Sequence, residues 1–136
     1  MKLKLWNIIL ILALFFGCEN DRNLNGNYSW CYNGEYSEVY FKKDSMRVAS
    51  KSEWVKLSEW RKIEIRNDTL YFKAFGEFKD NATAEIKYAG MNKTELRILE
   101  TDVRLDLEPI NKNLNFKNPK EFWNGFIDRQ SLMNCE

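Results

Sequence analysis

The stretch YSEVYFKK, residues 36–43, carries apolar side chains at alternate positions, with Val39 and Phe41 on one face. The segment KIEIR, residues 62–66, repeats the pattern with isoleucines between charged residues. Later segments continue the alternation at Leu70 and Phe72, at Ala84, Ile86 and Tyr88, at Leu96 and Ile98, and at Val103, Leu105 and Leu107. A period of two, with one solvent-exposed face and one buried face, predicts antiparallel strands.

Polar turns separate these segments at a regular interval. Ser45, Thr69 and Thr94 each follow such a turn, 24 and 25 residues apart, which corresponds to two strands per step. Strand starts are expected near Gly26, Tyr36, Met46, Glu53, Trp60, Thr69, Ala82, Glu95 and Val103. An open sheet of eight to nine strands would leave exposed edges, so the sequence predicts a mainly β fold, an antiparallel meander closed into a barrel.

The alternation stops after Pro109, and a helix signal follows. Asn118, Pro119 and Glu121 have the order of an N-cap, a first-turn proline and a capping-box acid. An apolar stripe at helical spacing comes next, formed by Phe122, Trp123, Phe126, Ile127 and Gln130. One short C-terminal helix is therefore expected over about residues 118–133, lying on the barrel.

The first residues indicate export. Lys2 and Lys4 precede a mostly apolar run over residues 5–17, which is too short for a hydrocarbon core of about 30 Å. The end of that run, LFFGC at residues 14–18, resembles a bacterial lipoprotein signal (lipobox), in which the chain is cut before a cysteine that is then diacylated, for example with palmitate. We therefore expect a signal peptide over residues 1–17 and lipidation of Cys18. An uncleaved signal or a simple membrane anchor, with Cys18 incidental, is the alternative.

The resemblance to lipoprotein signals also implies a location in the cell. Glu19 after the cysteine, in place of aspartate, favours the outer membrane over retention at the inner one. The protein would be anchored there by its lipid, at the periplasmic face or the cell surface. Residues 18–25 would be the lipidated cysteine and a polar tether, and residues 26–136 a single barrel domain with its helix.

Composition excludes several functions. Without residues 1–17 the chain has 119 residues, with 19 basic residues (21 less Lys2 and Lys4) against 20 acidic ones, so nucleic acid is not an expected partner. Histidine is absent, which excludes a Ser-His-Asp or Cys-His site and removes the commonest zinc ligand. The carboxylates Glu35, Glu38, Glu64, Glu85 and Glu108 are expected mostly on the solvated face. We expect no enzyme, no metal site and no cofactor.

Two cysteines remain beside the lipidated one. An exported protein meets an oxidising compartment, where Cys31 and Cys135 are expected to form a disulfide. The loop it closes, about 100 residues, corresponds to a stabilisation of up to ~4.7 kcal/mol in the chain-entropy model. Two unpaired thiols are the alternative.

The start of the first strand resembles a known motif. The segment LNGNY, residues 24–28, with Trp30 close behind, is similar to the G-x-W opening of lipocalin-type barrels, with Tyr28 at the tryptophan position. A meander of about eight strands with a C-terminal helix resembles the same group. The strings YSEVYFKKDSM and RNDTLYF look like small, largely uncharacterised lipocalin-like lipoproteins of Gram-negative bacteria. This resemblance implies a barrel that binds a hydrophobic ligand.

Several apolar side chains are expected to point into the barrel. They are Tyr28, Trp30, Tyr32, Val39, Phe41, Phe72 and Tyr88. An eight-stranded barrel is either filled by its side chains or wide enough for one small ligand. Seventeen aromatic residues remain after cleavage (9 Phe, 6 Tyr and 5 Trp, less Trp6, Phe15 and Phe16), and this number favours a filled core.

The sequence thus indicates a lipid-anchored envelope lipoprotein that binds or contacts something without catalysis. A small apolar ligand and an envelope protein are the candidate partners. The alternative is an inhibitor or immunity-type lipoprotein acting on a lytic enzyme or toxin. WCYNG, residues 30–34, followed by VYF at 39–41, resembles membrane-bound lysozyme inhibitors, and residues 49–60, with Trp54 and Trp60, would be the contact region.

Overall fold

A computed structural model describes residues 24–52, 56–75, 80–89 and 93–136. Within these ranges the chain forms nine antiparallel strands and one helix. They are β1 (Gly26–Tyr32), β2 (Glu35–Lys42), β3 (Ser45–Ser50), β4 (Arg61–Lys62), β5 (Glu64–Arg66), β6 (Thr69–Lys73), β7 (Asn81–Ala89), β8 (Lys93–Ile98), β9 (Arg104–Pro109) and α1 (Pro119–Leu132). The position near Glu53, where a strand is expected to start, lies outside the described residues.

The strands form a nearly closed barrel, which confirms the predicted fold. Their order in the sheet is β4-β3-β2-β1-β9-β8-β7-β6-β5, so β1 pairs with β9, and among the described strands only β4 and β5 are left as edges. These two edge strands are consecutive in the chain and are joined by Ile63 alone. We expected residues 62–66 to form one strand. The strand is interrupted between β4 and β5, because the side chain of Ile63 points into the core and its N–H donates to Asp44 O at 2.8 Å.

The Arg61 side chain links the edge strand β4 to the end of β6. Its Nη1 donates to the backbone oxygens of Lys73, the last residue of β6, and of Ala74, which follows it. Its guanidinium carbon also lies 4.5 Å from the ring centroid of Phe75. A side chain therefore takes the place of the missing backbone ladder between β4 and β6.

The two ends of the barrel differ. Leu24, 1% exposed, packs into the interior beside the start of β1, and we call this end the closed end. At the other end, the mouth, a tight turn joins β1 to β2. Its two central residues, Asn33 and Gly34, have φ of 50° and 77°, the left-handed conformation that a two-residue hairpin requires.

The helix covers the outer face of the first strands. Phe122 and Phe126 of α1 pack against Tyr36 and Tyr40 of β2, forming a second core outside the barrel wall. Asn118 caps the helix by accepting a hydrogen bond from Glu121 N, as predicted, whereas the Glu121 carboxylate accepts from Asn115 Nδ2.

The predicted apolar stripe of the helix is only partly buried. Ile127 was expected on the packed face but is 47% exposed. It lies about 100° around the helix from Phe126, because successive residues are rotated by that angle. The packed face runs along Phe122 and Phe126 instead.

The disulfide between Cys31 and Cys135 is present, with the two Cα atoms 5.2 Å apart. It joins β1 to the segment that follows α1, across 104 residues of chain. The C-terminal helix is therefore held against the sheet at both of its ends, by Phe122 near the first turn and by the disulfide beyond the last.

Candidate ligand-binding site

A cavity of about 270 Å³ lies inside the barrel towards the mouth. Its lining consists of Trp30, Glu35, Ser37, Val39, Met46, Val48, Ala49, Ser50, Ser52, Leu70, Phe72, Phe75, Leu96, Ile98, Leu105 and Leu107. Typical pockets for drug-sized ligands measure about 300–1,000 Å³, so this one suits a small molecule. The interior is not completely filled, contrary to the interpretation that the aromatic content favoured.

The polarity of the wall falls from the mouth inwards. Three interior rows cross β1, β2 and β3. From the mouth they are Trp30, Ser37 and Ser50, then Tyr28, Val39 and Val48, then Gly26, Phe41 and Met46. The first row has two serine hydroxyls, whereas the only polar group of the deeper rows is the Tyr28 phenol, which donates to Asn25 O at 3.0 Å. The cavity is therefore polar at its entrance and apolar at its base.

The entrance carries one charged group. Glu35 starts β2 at the mouth and lines the cavity on the same face as Ser37. The hydroxyls of Ser50 and Ser52 lie 3.0 Å apart nearby. The lining includes no lysine or arginine, and within the described ranges no ion pair joins Glu35 to a cation.

Six of the seven side chains expected inside the barrel lie there. Trp30, Val39 and Phe72 line the cavity, while Tyr28, Phe41 and Tyr88 belong to the surrounding interior cluster. Burial raises the pKa of the Tyr28 phenol, whose ring meets Phe41 edge to face with centroids 6.0 Å apart.

Tyr32 differs from the expectation. It is 43% exposed and does not pack against the interior cluster. As the last residue of β1 it lies at the rim, where the chain turns into β2 and the wall ends.

Space remains in the barrel because many large rings lie outside it. The outer cluster contains Tyr36, Tyr40, Phe116, Phe122, Trp123 and Phe126. On β2 the two-residue period directs Tyr36 and Tyr40 to the outer face, opposite Val39 and Phe41. The prediction of a filled core rests on the total number of aromatic residues, and that total includes these six.

A buried charged cluster, which the sequence pattern did not predict, lies between β2 and α1. Glu38 was expected on the solvated face, but it is 0% exposed. Its Oε1 accepts from Tyr36 Oη at 2.6 Å and from Arg129 Nε at 2.7 Å. Its Oε2 accepts from Tyr40 Oη and from Arg129 Nη2, the latter at 3.0 Å. The sequence signal was the order Tyr-x-Glu-x-Tyr, with a carboxylate between two rings on the face that the aromatic helix covers.

The surroundings of this cluster keep its two phenols protonated and its guanidinium charged. Burial, together with the Glu38 carboxylate, raises the pKa values of Tyr36 and Tyr40, so both phenols keep their protons. Burial opposes the charge on Arg129, but hydrogen bonding and attraction to Glu38 outweigh it and raise the pKa of the guanidinium. A carboxylate has about four acceptor positions, and here all four are used. The four acceptor positions of Glu38 are therefore taken by residues of β2 and α1, and the cluster links the helix to the strand.

The region considered as a contact loop is only partly described. Trp54 lies outside the described residues. Trp60 is 39% exposed and packs edge to face on Phe116, with centroids 5.9 Å apart. Arg47 stacks on both rings and donates to Ser58 O at 3.0 and 2.7 Å. Trp60 is thus held by its neighbours at the outer surface.

The remaining expectations concern the anchor and metals. Cys18, the expected lipidation site, lies outside the described residues. In the part of the chain that the structure describes, no group of histidine, cysteine or acidic residues could hold a metal ion. Among the same residues, no helix is long and apolar enough to cross a membrane.

Comparison of the chain with protein-family models, curated proteins and solved structures finds no match. The function therefore has to be inferred from the barrel and its cavity.

Proposed function

We propose that the protein is a lipid-anchored lipoprotein of the cell envelope that binds a small apolar ligand inside its barrel, without catalysis. The observation that carries this proposal is the cavity of about 270 Å³ with a mostly apolar wall. An inhibitor that acts through an exposed loop would need no interior void. The cavity thus favours ligand binding over the inhibitor or immunity-type alternative.

The position of the mouth fits an anchored receptor. The chain enters the barrel through Leu24 at the closed end, and the mouth lies at the opposite end of β1. Six residue steps separate Cys18 from Leu24, so the tether reaches at most about 20 Å. With Cys18 lipidated at the outer membrane, the mouth would face away from the bilayer, and the ligand would enter from the aqueous side.

The absence of catalysis is part of the proposal. Among the described residues Glu38 is the one acidic residue that is fully buried, and its acceptor positions are occupied by Tyr36, Tyr40 and Arg129. The sequence contains no histidine that could serve as a general base near neutral pH.

Native mass spectrometry of the soluble Cys18→Ser mature protein, followed by organic extraction, tests ligand binding. We expect a stoichiometric small molecule with the unmodified cavity. Leu105→Trp, which fills the cavity, should remove it, whereas Leu99→Trp, at a position 48% exposed, should retain it. Equal retention by both variants, or a protein that is always empty and takes up no apolar probe, would contradict the proposal.

The anchor is tested separately. Globomycin, an inhibitor of signal peptidase II, should leave a precursor that keeps residues 1–17. Cys18→Ser should move the protein from the membrane fraction to the soluble fraction. Unchanged processing and fractionation would remove the anchor from the proposal but leave the cavity as it is.

A further inference from the structure

We infer that the ligand of the cavity is a small amphiphile whose head group is a protonated amine, held at the mouth by Glu35 and Trp30. This inference rests on the proposed function and specifies the class of ligand. It follows from the charge, the aromatic ring and the depth profile of the cavity wall.

The charge at the mouth selects the sign of the head group. Glu35 is the single charged residue among the described residues that line the cavity. A fatty acid or another carboxylate would meet this group with no lysine or arginine in the lining to offset the repulsion. Like-charge contacts of this kind discriminate against the wrong ligand. A cationic head group would form an ion pair instead.

The neighbours of Glu35 suit an ammonium group. Trp30 lies directly across from Ser37, and Ser37 directly across from Ser50, in the row nearest the mouth. Serine hydroxyls can accept hydrogen bonds from an ammonium N–H. The face of an indole ring attracts a cation, and tryptophan is the best of the aromatic side chains for this contact. Carboxylate, hydroxyls and ring therefore all line the mouth of the same cavity.

The deeper wall selects an apolar tail. Below the mouth row the lining is formed by aliphatic and aromatic groups such as Val39, Val48, Leu96 and Leu107. An apolar cavity of about 150 Å³ is enough to bind benzene, so one of about 270 Å³ has room for a short alkyl chain or a two-ring group. The polar end of such a molecule can only be satisfied at the mouth.

Photolabelling distinguishes this ligand class from others. The full lipoprotein, purified from membranes into nanodiscs, is irradiated with diazirine derivatives of octylamine, octanol and octanoate, and the labelled peptides are mapped. We expect octylamine to label the cavity wall at about fivefold lower concentration than octanoate, the scale of a partly exposed ion pair. Glu35→Gln should remove this preference and Glu35→Lys should reverse it. Glu108→Gln, a matched change of an exposed carboxylate on β9, should leave the preference unchanged.

The outcomes separate the two proposals. Labelling of the cavity by all three probes at similar concentrations, a preference for octanoate, or a preference unchanged by Glu35→Gln would overturn the amine inference but support the binding function. No labelling of the cavity by any of the three probes would overturn both. Labelling by octylamine that depends on Glu35 supports both.

Discussion

Arg129 on α1 donates two hydrogen bonds to Glu38 on β2, from Nε to Oε1 at 2.7 Å and from Nη2 to Oε2 at 3.0 Å. The two residues are 91 positions apart, and the carboxylate is completely buried. A bidentate arginine–carboxylate pair has a defined relative orientation. This pair therefore sets the position of the helix on the barrel, which apolar packing alone would leave less specific.

Removing one partner of the pair should be costly. Arg129→Met leaves a buried carboxylate without its cation, and we expect it to lower the free energy of unfolding by about 3–5 kcal/mol. Adding Glu38→Gln removes the buried charge and should recover about 2 kcal/mol of that loss. Urea unfolding of the two single variants and the double variant measures this coupling. If the two single losses simply add in the double variant, the pair has no role in holding the helix.

Gly125 should behave unlike an ordinary helical glycine. Alanine is usually favoured over glycine inside a helix by about 1 kcal/mol. A Cβ at this position, however, would lie 2.9 Å from Arg129 Nη1, and the guanidinium is held in place by the hydrogen bonds of its Nε and Nη2 to Glu38. We expect Gly125→Ala to give no gain in thermal stability, or a loss. In the Arg129→Met background the same substitution should become stabilising, and a gain of equal size in both backgrounds would contradict the close approach of Arg129 to Gly125.

Stability should fall in alkaline solution, chiefly because of Tyr36 and Tyr40. The pKa values of Tyr36 and Tyr40 are raised in the folded state, while an unfolded tyrosine titrates near pH ~10. Below that pH both states hold the phenol protons, so the full contribution to stability is present. Above it the unfolded chain releases protons that the folded protein retains, and stability declines as the pH rises towards the folded-state values. Urea unfolding at a series of pH values, with tyrosinate absorbance as a second signal, measures the decline.

A phenylalanine at position 40 isolates the effect. Tyr40→Phe should reduce the decline above pH ~10, because one of the phenol protons that the folded protein retains is gone. It should also cost about 1–3 kcal/mol near neutral pH, since a hydrogen bond to the buried Glu38 is lost. Tyr32→Phe, at the exposed rim, controls for the loss of a phenol that does not contact Glu38. A decline identical in Tyr40→Phe and the parent protein would show that this residue does not cause it.

The disulfide should stabilise the whole domain. Cys31→Ser and Cys135→Ser are each expected to lower the free energy of unfolding by about 2–5 kcal/mol. The double variant should be no less stable than either single one, because the same bond is lost in all three. Alkylation without reductant tests the pairing directly, and labelling of both thiols in the folded protein would show that the bond is not formed.

Much of the fold was predictable because its signals are local. Alternation at residues such as Val39 and Phe41 specifies strands, and Asn118 with Pro119 specifies the start of a helix. The break at Ile63 was not predictable, because the same alternation continues through it on both sides. Only closure of the barrel decides that β4 and β5 must pair with different neighbours.

The candidate site was predictable in part. Trp30, Val39 and Phe72 were expected in the interior and line the cavity. Glu35 at its mouth was identified only as one of several exposed carboxylates. A barrel is hollow when the side chains of its opposite walls do not fill the interior. The local periodicity of the sequence does not predict this, because the residues that face each other are far apart in the chain.

By itself, the sequence determined the strands, their turns, the helix and the two cysteines available for a bond, because neighbouring residues carry this information. The tertiary structure alone decided which face of β2 the helix covers, that Glu38 lies buried against Arg129, and that a cavity remains. These features depend on contacts between segments far apart in the chain. These contacts stabilise the protein only when the barrel has closed and the helix has packed on its wall.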